Sequence, residues 1–112
     1  MDLGLKGKTV VVTGGTSGIG KAVSLAFLEE GCKVAVCGRN NNRLENMKKE
    51  FCNMPLFVKR VDVTHNDQLK LFAKEVEQSF GKIDIWINNA GMSDPMPFDE
   101  TTEEDFDKLV NI

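Results

Sequence analysis

Residues Thr13 to Gly20 read Thr-Gly-Gly-Thr-Ser-Gly-Ile-Gly, directly after the apolar β-formers Thr9, Val10, Val11 and Val12 and directly ahead of a stretch with helical periodicity. A glycine-rich turn between a strand and a helix constrains a fold tightly. Without a Cβ at Gly14, Gly18 and Gly20, the chain can turn sharply and the helix can lie close against its strand. The helix that follows begins with unpaired N–H groups and the positive end of its dipole, so an anion such as a phosphate is stabilised there. A glycine trio alone also fits an ordinary tight turn. Its placement between such a strand and such a helix is what carries the ligand-binding reading.

The remaining sequence repeats that alternation. Strand-sized apolar runs occupy Lys8–Thr13, Lys33–Cys37, Leu56–Val61 and Ile83–Asn88. Between the first two, Ile19, Ala22, Val23, Ala26 and Phe27 fall on one helical face, and Gly31 ends that helix. Leu44, Met47 and Phe51 form a shorter stripe before Pro55. Leu69, Phe72, Ala73, Val76 and Phe80 form a longer one, ended by Gly81. Thr64 precedes Asp67 by three residues, the spacing of a capping box at the start of this helix. A fourth helix is expected from Thr101 or Thr102, with Phe106, Leu109 and Val110 turned inward, after a Met92–Glu100 loop that holds Pro95 and Pro97.

Nearly continuous apolar strands alternating with helices describe a parallel sheet covered on both faces. Right-handed crossovers and a doubly wound order place the four strands as 3-2-1-4. The expected fold is therefore α/β, a Rossmann-type doubly wound parallel sheet. With 112 residues there is room for one core.

Composition excludes several functions. A hydrophobic content of 41% fits a globular chain, and a net charge of −3 without a basic cluster argues against nucleic acid or an anionic membrane as a partner. No apolar run is long enough to span a bilayer, and Met1-Asp2-Leu3-Gly4-Leu5 lacks the plan of a signal peptide, so a cytoplasmic location is expected. Cys32, Cys37 and Cys52 lack Cys-x-x-Cys spacing, and His65 is the single histidine, so no metal site is expected. The cysteines read as reduced thiols, with Cys32 and Cys37 in or beside an apolar strand.

Four segments, each at the carboxyl end of an expected strand, together resemble the short-chain dehydrogenases and reductases of the classical type. They are Thr13-Gly14 with Gly18 and Gly20, Cys37-Gly38-Arg39-Asn40, Val61-Asp62-Val63-Thr64, and Asn88-Asn89-Ala90-Gly91. The resemblance covers the whole chain, and residues 1–112 correspond to the N-terminal, dinucleotide-binding part of one Rossmann-type domain.

The resemblance implies roles for particular residues. The backbone around Gly14, Ser17, Gly18 and Ile19 would surround the pyrophosphate and the nicotinamide end of the cofactor. Asp62 would accept from the adenine amino group, with the Val63 backbone alongside. Asn89, Ala90 and Gly91 would pass along the adenosine ribose and brace the sheet. Simpler roles compete with these: Asp62 could satisfy turn amides near a helix start, and Asn88 and Asn89 could be turn residues.

An NAD site usually places an acid at the end of the second strand, bonding the ribose 2′-hydroxyl. Gly38 stands there, followed by Arg39, whose guanidinium suits a phosphate. Thr16 matches a position whose hydroxyl often helps hold a 2′-phosphate. NADP(H) is therefore expected over NAD(H), with Arg39 as a solvated surface charge the competing reading. Ser17 stands where many NADP-preferring relatives place a second basic residue, which moderates the expected discrimination.

The family's chemistry uses a tyrosine with its pKa lowered by a lysine one turn away, together with a serine and an asparagine. This chain contains no tyrosine. Taking Phe106 as the aromatic that precedes the catalytic asparagine by seven places that asparagine just after Ile112, so Asn111 is not assigned and no catalytic residue is expected here. An end at Ile112 would also leave the fourth strand as a bare edge and cut the last helix short. The chain is therefore expected to be part of a longer oxidoreductase that moves a hydride between nicotinamide and a carbonyl or alcohol, oligomeric when complete and inactive as 112 residues. The alternative is a non-catalytic dinucleotide-binding module. Met92 and Ser93 would approach the nicotinamide side, and the substrate stays open among sugars, acyl thioesters, steroids and simple ketones.

Overall fold

A computed structural model describes residues 4–16 and 18–89. The elements run β1 (Thr9–Thr13), α1 (Gly18–Glu29), β2 (Lys33–Gly38), α2 (Asn41–Glu50), β3 (Leu56–Arg60), α3 (Asn66–Phe80) and β4 (Ile85–Asn88). All strand pairs are parallel, and the sheet order is β3-β2-β1-β4, as the sequence predicts. The expected fourth helix, the Met92–Glu100 loop, Ser17, Ala90 and Gly91 lie outside the described residues.

The two-residue period of a strand divides the core in two. Val10, Val12, Val34 and Val36 point to one face, where they meet Leu28 of α1 and Leu44 and Met47 of α2. Val11, Ala35, Cys37 and Trp86 point to the other, where Leu69, Phe72, Ala73 and Val76 of α3 cover them. Helices cover both faces, which is why β1 is buried along its whole length and shows no polar alternation. Phe57 of β3 extends the α3 side, stacking on Phe72 at 6.0 Å between ring centroids.

Strand limits move slightly from the sequence expectation. Val61 and Ile83 are buried but lie just outside β3 and β4. Ahead of β4, Asp84 exchanges two bonds with Thr9. Its carboxylate accepts from the Thr9 amide and its own amide donates to the Thr9 carbonyl, each at 2.9 Å. Gly38, in contrast, belongs to β2, where its partner is Arg60.

Two helix expectations are corrected. On α1 the buried residues are Gly20, Ser24 and Leu28, flanked by half-buried Val23 and Phe27, whereas Ile19, Ala22 and Ala26 are exposed. Small residues let the helix lie close to the sheet, and the Ser24 hydroxyl is satisfied by the Gly20 carbonyl at 2.8 Å. A hydrophobic stripe cannot reveal such a face, because glycine and serine carry no apolar signal. The capping box at Thr64 does not form. His65 is the N-cap residue of α3 without a side-chain cap bond, and the Thr64 hydroxyl donates to Asp62 instead. The expected ends hold: Gly31 and Gly81 sit just past α1 and α3 with φ of 88° and 91°.

Candidate functional site at the carboxyl edge of the sheet

The glycine loop is built by close approach. After β1, Gly14 turns with φ 65° while its amide donates to the Cys37 carbonyl at 2.9 Å, extending the contact between β1 and β2. A Cβ on Gly20 would lie 2.2 Å from the Gly14 carbonyl oxygen and 2.5 Å from the Asn89 side-chain nitrogen, so no larger residue fits. A Cβ on Gly15 would meet Val36 at 2.8 Å. Gly15 lies inside the octapeptide, but its close approach to Val36 is tertiary and has no local signal in the sequence.

Asn89 ties the loop to the far strand. Its side-chain amide donates to the Gly14 carbonyl at 3.0 Å and its backbone amide to the Thr13 hydroxyl at 3.1 Å. These two bonds join the end of β4 to the loop after β1. Neighbouring Asn88 accepts from the indole N–H of buried Trp86 at 2.8 Å, a structural use of that side chain.

The end of β2 is shaped differently. The Thr16 side chain lies over Gly38, with its hydroxyl oxygen 3.4 Å from where a Cβ would stand. Arg39 follows, exposed, and Asn40 caps α2 by accepting from the Arg43 amide at 3.0 Å. No acid occupies the first turn of α1 or α2. The Arg60 side chain reaches across from β3 and donates through Nε to the Arg39 carbonyl at 3.2 Å.

Beyond β3, Asp62 is organised by its neighbours. Its Oδ1 accepts from the Thr64 hydroxyl at 2.6 Å and from the Thr64 amide at 3.0 Å. These bonds hold its carboxyl below the usual carboxylate range, the hydroxyl contributing most, and the charges of His65 and Arg39 act in the same direction. The turn role weighed for Asp62 is therefore present, and Oδ2 is left with a more distant contact, His65 Nε2 at 3.7 Å. Gln68 accepts from the Asp62 amide at 2.9 Å. That contact spans six residues and carries no local sequence signal. The Val63 side chain packs on the α3 core.

Gly14, Thr16, Gly18, Ile19, Arg39, Asp62, Val63 and Asn89 thus occupy the carboxyl edge of one parallel sheet, where doubly wound folds bind ligands. The donor set suits a dinucleotide: a cradle closed to any Cβ at Gly20, a helix start without acids, and a carboxylate kept ionised. Among the described residues no group of three or more His, Cys, Asp or Glu side chains could hold a metal ion. None of the described helices is long and apolar enough to cross a membrane.

The family model for short chain dehydrogenases matches residues 8–112. The chain belongs to that family. Over 110 residues it is 36% identical to the 3-oxoacyl-[acyl-carrier-protein] reductase FabG of Thermotoga maritima, an alignment that covers 96% of this chain and 45% of the relative. The chain therefore spans about half the length of the curated relatives it matches. A crystal structure of a short chain dehydrogenase from Bacillus anthracis superimposes with a TM-score of 0.73 at 37% identity, covering 78% of this chain and 36% of that one. An actinorhodin polyketide ketoreductase with NADPH gives 0.72 at 29% identity, covering 81% and 35%. The short-chain dehydrogenase family uses nicotinamide cofactors, and its members are oxidoreductases.

Proposed function

We propose that this short-chain dehydrogenase chain holds NADP(H) in preference to NAD(H), as the cofactor-binding part of an oxidoreductase acting on a carbonyl or alcohol. The observation that carries the reading is the surface at the end of β2, where Thr16 lies over Gly38 and a guanidinium follows in place of an acid. A carboxylate there would bond a ribose 2′-hydroxyl and repel a 2′-phosphate. A charge-assisted hydrogen bond from Arg39 would contribute about 1.5–3 kcal/mol, or roughly ten- to a hundredfold in affinity. The similar ketoreductase described with NADPH supports the same choice.

The other roles are those that the family resemblance implies. Gly14, Ser17, Gly18 and Ile19 would hold the pyrophosphate and nicotinamide end at the start of α1. Asp62 would accept from the adenine amino group through Oδ2, because Oδ1 is already bonded to Thr64. Asn89, Ala90 and Gly91 would follow the adenosine ribose. When bound, the nicotinamide supplies or accepts the hydride. Without a tyrosine in the sequence, these residues position the cofactor and do not provide the family's proton donor.

A carbonyl panel with NADPH tests the division of labour. The 112-residue chain is expected to bind NADPH without consuming it. Steady NADPH oxidation by these residues alone would overturn the reading.

A further inference from the structure

We propose that Arg60 is a second specificity-determining guanidinium, directed at the cofactor's 2′-phosphate by its bond to Arg39. This rests on the NADP(H) reading above. Arg60 is the in-register partner of Gly38 across the β2–β3 ladder. Val36 and Val58 pack in the core on the α1 and α2 side, so Gly38 and Arg60, each two residues further along, lie on that same face. Thr16 covers Gly38 on this face, which brings a hydroxyl, an open glycine and an arginine together at one sheet corner.

The tether decides which atoms remain available. Arg60 Nε–H is used on the Arg39 carbonyl at 3.2 Å, which limits the rotation of an otherwise exposed side chain. The two Nη groups keep their donors, since among the described residues Arg60 has no ion pair. Arg39 has no ion pair among the described residues either, and its charge acts on the Asp62 carboxylate from beyond ion-pair distance. The first turn of α2, which starts just beyond, adds helix-terminal N–H groups and no acid.

Charge balance calls for such a second group. A phosphate monoester carries about −1.5 to −2 charges at neutral pH, so one guanidinium leaves it undercompensated. The glycine loop offers only hydroxyls, from Thr16 and Ser17. Arg60 supplies the missing charge from the neighbouring strand, outside the glycine loop itself.

Titration of wild type, Arg60→Gln and Arg39→Gln with NADPH and NADH tests this, with circular dichroism to check the fold. Arg60→Gln is expected to weaken NADPH about fivefold, in line with an exposed charge pair, and to leave NADH unchanged. An unchanged NADPH-to-NADH ratio in Arg60→Gln, alongside a collapsed ratio in Arg39→Gln, would overturn the role of Arg60 and leave the NADP(H) reading standing. Equal weakening of both cofactors by Arg60→Gln would reduce Arg60 to a structural tether and overturn the proposal. A wild-type protein that binds both cofactors equally, or neither, would overturn the proposal together with the reading beneath it.

Discussion

The side-chain amide of Asn89 donates to the carbonyl of Gly14 across 3.0 Å, joining the segment after β4 to the loop after β1. The two residues are 75 apart in sequence, and both are half-buried. Asn89→Ala removes the donor and leaves the Gly14 carbonyl without it. The expected loss is about 1 kcal/mol of stability, read as a lower urea midpoint at unchanged slope.

Glycines at the two ends of the site respond differently to one added carbon. At Gly20 a Cβ would fall 2.2 Å from a backbone oxygen, so Gly20→Ala must displace α1 or the loop, at a cost of about 1–3 kcal/mol or more. At Gly38 the contacts to Thr16 are 3.4 and 3.6 Å, which are ordinary, so Gly38→Ala is expected to keep near-wild-type stability. Gly38→Asp should fold as well and exchange the cofactor preference toward NADH. Thermal melts and cofactor titrations of the three variants check these outcomes together.

The sheet order, the presence of the four strands and the α3 stripe were legible because each rests on a local signal: apolar runs, glycines, and Leu69, Phe72 and Val76 at helical spacing. The buried face of α1 was not, since Gly20 and Ser24 are inside for reasons of size and backbone bonding. Thr64 had the right spacing for a cap, but Asp62 two residues earlier took its hydroxyl. The links Arg60 to Arg39 and Gln68 to Asp62 depend on tertiary placement, which no local pattern encodes.

Thiol accessibility separates the three cysteines. Cys52 is exposed, whereas Cys32 and Cys37 are fully buried and none is in a disulfide. Burial pushes the Cys37 thiol up to about 12 against a lowering hydrogen bond from the Gly14 amide, so it stays neutral in the folded protein. Ellman's reagent is expected to modify one cysteine rapidly in the native chain and all three in denaturant. The sign of the pH effect follows: the neutral Cys37 thiol contributes stability below the ordinary value of 9.0 that is lost as pH rises toward about 12.

Asp62 titrates in the opposite sense. Its folded carboxyl lies below the ordinary 3.8, so its contribution is complete above that value and is lost as pH falls through the lowered one. A carbon-13 carboxyl titration should place its midpoint under 3.8 in wild type and move it upward in Thr64→Val, which removes the hydroxyl that lowers it most. An unmoved midpoint would contradict the assignment of Thr64 as the main cause.

Calorimetric titration of the wild-type protein with NADPH and, separately, NADH tests the central claim most directly. One saturable site, with NADPH bound about tenfold or more tightly than NADH, is the predicted result. Equal affinities, tighter NADH, or no saturable binding of either cofactor would contradict it.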